Sequence, residues 1–418
     1  MNMFSKGANR RQVLAGIAAA GTTLSMPAIA QTRRLVINSN ANNKLRPVFD
    51  QIVAAFEKAE NCEVQVNYAD YESYNTSIRS FLVTNPPDIC FWFSGERMRA
   101  FVRRGLFEDI TDLWEERGFF APTGALSGAL AVENRQYGIP MQASFWGIFY
   151  RADILERAGI KAPVADFPTL IEAGRTLRGQ NITPFAIGSR RPWTTAGWFD
   201  YLNLRINGLD FHMGLMGGQE SYLDPKLSSV FDRWQEAIEA GFFLENHTSY
   251  SWEQAAAFYN QGTAAMMLLA QFARGQMTPE VLDASDFMPF PKVDPAVGNF
   301  EEYPVDSLHI PARAANKELA REFLAFFYQP DNLAQWIVPE GNLPPRNDVE
   351  LLNRDKFLEK GMALLAAADG TSQFYDRDTD PDMAQAGLQG FQQFMVQPGE
   401  RQAILERLEA TRKRVFQQ

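Results

Sequence analysis

The chain has 418 residues, 46% of them hydrophobic and 12% aromatic, enough to bury a large core and build two or three ordinary domains, which excludes a disordered polymer. A formal net charge of −10 turns it away from nucleic acid and anionic lipid headgroups, and no apolar run approaches the roughly 20 residues a membrane-spanning helix needs. Its two cysteines, Cys62 and Cys90, exclude a Cys-rich zinc site and are expected as two buried thiols rather than a disulfide.

Residues 1–30 read as an export leader: basic Lys6, Arg10 and Arg11, an apolar run from Val13 to Ala20, then Pro27 and Ala28-Ile29-Ala30, with cleavage after Ala30. Arg10 and Arg11 followed by Gln12-Val13-Leu14 resemble the twin-arginine type, although Asn9 stands where that signal prefers Ser or Thr and Val13 where it prefers Phe. Cleavage would take the net charge from −10 to −13 and leave no cysteine at the new N-terminus to acylate, so a protein free in the periplasm is expected.

Leu35-Val36-Ile37 reads as a buried strand, followed by a helix with Val48, Ile52 and Phe56 on one face and Pro47 at its start. Val64, Val66 and Tyr68 alternate as a second strand, a helix spans 73–82, and Asp88 to Phe93 form a third strand after Pro86-Pro87. This alternation predicts βαβ units and a parallel sheet, whose ligands meet the carboxyl ends of strands, here the loops 38–43, 69–74 and 93–96. The segment 136–160, QYGIPMQASFWGIFYRADILERAGI, reads as an apolar crossover and hinge. Gly138 and Pro140 punctuate a strand, and a helical period appears at Ile154, Leu155 and Ala158 before Gly159. Phe149 and Tyr150 belong to a core, while Trp146 is placed to meet a ligand.

A second lobe follows, with a helix over 168–178, a strand over 183–187, and a loop over 188–198 that carries Arg190, Arg191 and Trp193. Helices over 228–240 and 252–261 lead to a strand over 264–270 and then Gln271 and Phe272. The chain then crosses back: 286–291 reads as strand then loop, 305–310 precedes a helix over 316–328, and the remainder is helical except for 339–348 and the aspartate-rich loop 369–382.

The nucleophile elbow, H-E-x-x-H, P-loop and G-x-G-x-x-G are all missing, and His212, His247 and His309 show no clustering by spacing. Acidic pairs such as Glu301 and Glu302 could serve a glycosidase, but carboxylates this numerous mostly lie on solvated faces. Trp92, Trp146, Trp193, Trp198 and Trp252 instead fall at predicted loop positions, accompanied by Asn40, Gln142, Ser144, Gln271 and Asp306. That set suits a sugar, whose C–H faces pack on aromatic planes and whose hydroxyls need amide and carboxylate partners. Trp234, at helical spacing with Phe231 and Ile238, belongs to the core.

The phrase QYGIPMQASFWGIFYRADILERAGIKAP resembles the crossover signature of the extracellular solute-binding proteins of family 1, the maltose-binding-protein-like receptors of ABC transporters. NPPDICFW, RRGLFEDITDLWEE, GTAAMMLLAQF and VDSLHIPARAANKELAREFLAFF resemble further segments of that family, in the same order. Arg151-Ala152 stand where the family usually has Asn-Lys.

The resemblance implies an α/β, two-lobed periplasmic-binding-protein fold of type II, each lobe a mostly parallel sheet flanked by helices and joined by hinge crossovers. Residues 31–140 with 307–350 would form lobe I, and 141–306 with 351–418 lobe II. It further implies a monomeric binding component without metal or cofactor, delivering a carbohydrate to an ABC permease. The candidate contacts are Asn40, Tyr71, Trp92, Ser94 and Glu96 from lobe I, and Trp193, Trp198, Trp252, Gln271 and Phe272 from lobe II. Gln142, Ser144 and Trp146 lie past the hinge and Asp306 near the return crossover. Arg190 and Arg191 keep open an anionic solute such as a uronic acid or glycerol phosphate ester. A periplasmic carbohydrate-active enzyme is the other alternative.

Overall fold

The structure, a computed structural model, describes residues 33–352 and 354–417, and the expected leader at 1–30 lies outside the described residues. In chain order the strands are β1 (Arg33–Ser39), β2 (Cys62–Tyr68), β3 (Ile89–Phe93), β4 (Ala131–Val132), β5 (Arg135–Gln136), β6 (Ile139–Ala143), β7 (Trp146–Arg151), β8 (Thr183–Phe185), β9 (Ala264–Ala270), β10 (Ser285–Met288), β11 (Phe300–Glu302), β12 (Val305–His309) and β13 (Gly370–Ser372). Two sheets organise the molecule, one ordered β2-β1-β3-β12-β6 and the other β10-β7-β9-β8, each with its own hydrophobic core. Helices flank both sheets, which makes a two-lobed α/β fold.

The lobes are mixed sheets rather than mostly parallel ones. β1 runs parallel to β2 and β3, and β8 parallel to β9, but β12 is antiparallel to β3 and β6, and β7 is antiparallel to β9 and β10. The reason is the path between lobes: β6 leaves the first lobe and β12 re-enters it, so the two must run in opposite directions. The carboxyl ends of β1, β2, β3 and β6 and the start of β12 therefore face the same gap as the start of β7 and the ends of β8, β9 and β10.

The crossover itself is Ser144-Phe145, between β6 and β7, and not Gly138 or Pro140 as expected. Pro140 sits within β6, tolerated because β6 is the edge strand of its sheet, bridged on its far side only at Ala143 by Leu343, with a register irregularity opposite Asp306 and Ser307. Phe149 and Tyr150 are buried in the second core, as expected.

Helix starts place the cleft-facing residues of the first lobe. Helix α1 (Arg46–Glu60) begins with Pro47 in its first turn and buries Phe49, Ile52, Val53 and Phe56 along one face. Helix α2 (Tyr71–Thr84) is capped by the Asp70 side chain, which accepts from the backbone N–H groups of Glu72 and Ser73 and fixes Tyr71 and Glu72 in the first turn. Helix α3 (Glu96–Val102) follows Gly95, whose φ of 75° and missing Cβ allow the Arg377 carbonyl to approach.

The loop expected over 188–198 is shorter, because a helix starts at Trp193 and runs to Met216, interrupted at Gly208. From Thr194 to Arg205 every residue is buried, so this part lacks the one-sided apolar stripe by which a surface helix is recognised in sequence. Cys62 lies opposite Arg33 and Cys90 opposite Asn38 along β1. At about 3.3 Å per residue this sets them roughly 16 Å apart along that strand, beyond disulfide reach. Both are free thiols, but only Cys90 is buried; Cys62 is half-buried because β2 is the sheet edge. Among the described residues no helix is long and apolar enough to cross a membrane.

Candidate functional site

Between the lobes lies a cavity of about 690 Å³, a size typical of small-molecule clefts. Its second-lobe wall is aromatic. Trp146 stacks on Phe374 with ring centroids 4.5 Å apart, while Trp193 and Phe272 each meet Trp146 edge-on at 6.2 Å. Trp252 extends this wall from Phe272, at 5.1 Å. The first-lobe wall carries Tyr71, Trp92 and Phe93, with the Arg97 guanidinium over Trp92 and Phe93, and that of Arg377 over Phe93.

A chain of hydrogen bonds closes the base. Asn342 Nδ2 donates to Gln142 Oε1 (2.8 Å), Gln142 Nε2 donates to Asp306 Oδ2 (2.9 Å), and Arg377 Nη1 donates to Asp306 Oδ1 (2.9 Å). Behind it, buried Gln271 donates to Asn342 Oδ1 and to Ser144 Oγ (3.2 Å), and accepts the Phe145 N–H (3.1 Å). Gln271 thus ties the crossover to the segment carrying Asn342, and fixes which amide faces of Gln142 and Asn342 remain for a ligand.

The cavity holds both signs of charge, mostly matched. Arg377 pairs with Asp306, Arg191 with Glu72 at 2.5 Å, and Asp376 with Arg97 at 3.4 Å. Lys44 Nζ donates to the Gly275 carbonyl (2.9 Å), and Arg190 donates to Gln254 Oε1 (3.1 Å). Burial pushes the Glu340 carboxyl above its ordinary range, against hydrogen bonds from Asn42 and Asn342.

Of the residues expected from sequence, Asn40, Tyr71 and Trp92 line the cavity from the first lobe. Gln142, Ser144, Trp146 and Asp306 line it at the crossovers, and Trp193, Trp252 and Phe272 from the second lobe. Four others lie outside its wall. Trp198 is 1% exposed and packs against Phe185, Phe242, Phe243 and Phe290, because the helix begun at Trp193 turns it into the core. Ser94 is buried and donates to Gln373 Oε1 (2.8 Å), joining the lobes behind the cavity. Glu96, at the start of α3, pairs with Arg103 just past its end rather than lining the cavity. Gln271 supports the base from behind rather than facing the space.

Sequence reasoning missed Phe374, Asp376 and Arg377, and also Glu340 and Asn342. All five belong to the two stretches read only as non-helical interruptions, 339–348 and 369–382. An aromatic and paired charges within an otherwise helical tail were the available signal. Glu301 and Glu302, the acidic pair weighed for glycosidase chemistry, are fully buried in the second lobe, Glu301 paired with Arg205. None of the three histidines lines the cavity, and among the described residues no cluster of His, Cys, Asp or Glu is arranged to hold a metal ion.

A sequence profile described as bacterial extracellular solute-binding protein matches residues 42–334. The chain is 23% identical over 314 residues to an uncharacterized ABC transporter extracellular-binding protein of Pyrococcus horikoshii, covering 72% of this chain and 69% of that one. Among solved structures it is similar to the bacterial solute receptor AcbH, which has an exclusive substrate preference for β-D-galactopyranose. The TM-score is 0.86 at 25% identity, covering 92% of this chain and 100% of the receptor. A chitin oligosaccharide binding protein shares the fold, with a TM-score of 0.84 at 17% identity over 92% of this chain and 99% of the other. The two-lobed fold, the deep interlobe cleft and the match across residues 42–334 agree: the chain belongs to the bacterial extracellular solute-binding protein family.

Proposed function

We propose that this protein is the solute-binding component of an ABC importer, taking a neutral saccharide into the interlobe cleft and delivering it, chemically unchanged, to a membrane permease. The observation that carries this reading is the aromatic wall of Trp146, Trp193, Phe272 and Phe374 facing the amides and carboxylates of Gln142, Asn342, Asp306 and Glu340. A pyranose offers a matching pair of surfaces, an apolar ring face and a rim of hydroxyls. Neutrality is supported by two of the four lining cations: Arg191 and Arg377 are already engaged by Glu72 and Asp306, so an anion would have to break those pairs, while Lys44 and Arg190 meet only a backbone carbonyl and an amide oxygen. The galactopyranose preference of AcbH supports the same solute class.

As a member of an extracellular family the protein is exported. On our reading the leader at 1–30 directs it through the twin-arginine route, and it acts as a monomer in the periplasm. Binding is a hinge equilibrium in which a solute touching both lobes favours the closed form. Trp146, Trp193 and Trp252 make that event visible: titration with mono- and oligosaccharides should shift intrinsic tryptophan emission saturably. Saturable shifts with uronic acids or glycerol phosphate alone would replace the neutral solute by an anionic one.

A further inference from the structure

We propose that the Glu72–Arg191 ion pair sets an upper limit on solute length, making these two side chains specificity-determining residues; the inference rests on the saccharide reading above. Glu72 comes from the first turn of α2 and Arg191 from the loop after β8, so the pair spans the two lobes, at 2.5 Å. A second contact, Lys44 Nζ to the Gly275 carbonyl (2.9 Å), spans them beside it, from the loop after β1 to the turn after β9. In the two sheets β2 and β8 are the edge strands remote from the crossovers, with β1 and β9 next to them. Both contacts therefore lie across the open mouth of the cleft, where a chain longer than the cavity would have to leave.

Both side chains spring from fixed backbone. Asp70 caps α2 beneath Glu72. On the other side the Arg190 N–H donates to the Tyr250 carbonyl (2.9 Å) and its guanidinium to Gln254, holding the loop against the helix Trp252–Asn260. Gly188 lets this loop pack where a Cβ would meet the Ser251 carbonyl at 2.1 Å. At 2.5 Å the pair leaves no gap for a sugar ring. A solute that ends inside the cavity leaves both contacts made. One that projects past Glu72 holds the lobes apart, losing those contacts and part of its own contact with one lobe. An exposed ion pair is weak by itself, so the selection comes from the geometry of closure more than from the charge.

Isothermal titration with ladders of α-glucan, β-galactan, xylan and chitin fragments, from mono- to hexasaccharide, tests this in the wild type, Glu72→Ala, and the exchange Glu72→Arg with Arg191→Glu. The wild type should lose at least tenfold in affinity between its preferred length and members two rings longer. Glu72→Ala should shrink that loss at least threefold, and the exchange should restore it. Equal binding of long and short members, or an unchanged loss in Glu72→Ala, overturns the length limit while leaving the saccharide reading in place. If no ladder binds the wild type at all, the saccharide reading fails and the length limit with it.

Discussion

Trp146 faces the solute space, yet it is only 3% exposed and its ring is locked between Phe374, Trp193 and Phe272. Replacing it with Ala should therefore cost stability as well as affinity, on the order of 3–5 kcal/mol for a buried Trp, and equilibrium urea unfolding would show it. Trp193 and Trp252 are less buried and separate the two effects. Trp193→Ala and Trp252→Ala should each weaken saccharide binding about tenfold, the ~1.4 kcal/mol upper range of an aromatic contact, with little change in melting temperature. Trp198→Ala should do the reverse, destabilising the second lobe by ~3–5 kcal/mol while the folded fraction keeps its affinity. In sequence Trp193 and Trp198 look alike, two tryptophans after a Pro. What separates them is a helix that is buried on every face from Thr194 to Arg205, so no periodicity in its residues reveals which way Trp198 points.

The element that sequence reading undervalued is the segment from β13 to Asp378. Its backbone is fixed from within the second lobe: Asp200 accepts the Tyr375 N–H (2.8 Å) and Asp378 accepts that of Gln373 (2.7 Å). This anchoring presents Phe374, Asp376 and Arg377 to the cleft. Asp200 lies far away in sequence, so no local pattern joins the two, and the aspartates of 369–382 look like ordinary solvated carboxylates. They are not all so. Burial pushes the Asp378 carboxyl from its ordinary 3.8 up to about 7, against the Gln373 hydrogen bond, and burial raises Asp200 and Glu302 well above the usual carboxylate range. Folded Asp378 keeps its proton up to about 7, whereas the unfolded carboxyl loses it near 3.8, so its contribution to stability is complete below that lower value and is lost as pH rises through the window. The loss amounts to at most ~1.4 kcal/mol per pH unit. Asp378→Asn removes this dependence, and its stability should fall less steeply between pH 4 and 7 than the wild type's in parallel denaturant titrations. Identical slopes would remove Asp378 from this role.

At the scale of the whole molecule, the strand and helix alternation around Leu35-Val36-Ile37, Val64, Val66 and Ile89 was legible because each element is amphipathic or bounded by turn residues. Strand direction was not, since nothing local tells β7 or β12 which lobe the chain has just left. The cleft was legible in its aromatics and amides and illegible where lobes meet through ion pairs, as at Glu72 and Arg191, whose partners are known only once both sheets are in place. The joint dependence on two lobes also fixes how binding should appear in stability. A solute that binds only the folded form should add about 2.7 kcal/mol at a hundredfold excess over its dissociation constant. The most direct measurement is a thermal-shift screen of the purified protein against neutral mono- and oligosaccharides, uronic acids, glycerol phosphate, amino acids and polyamines. At least one neutral saccharide should raise the melting temperature dose-dependently; a rise confined to the amino acids, polyamines or anionic solutes would contradict the account.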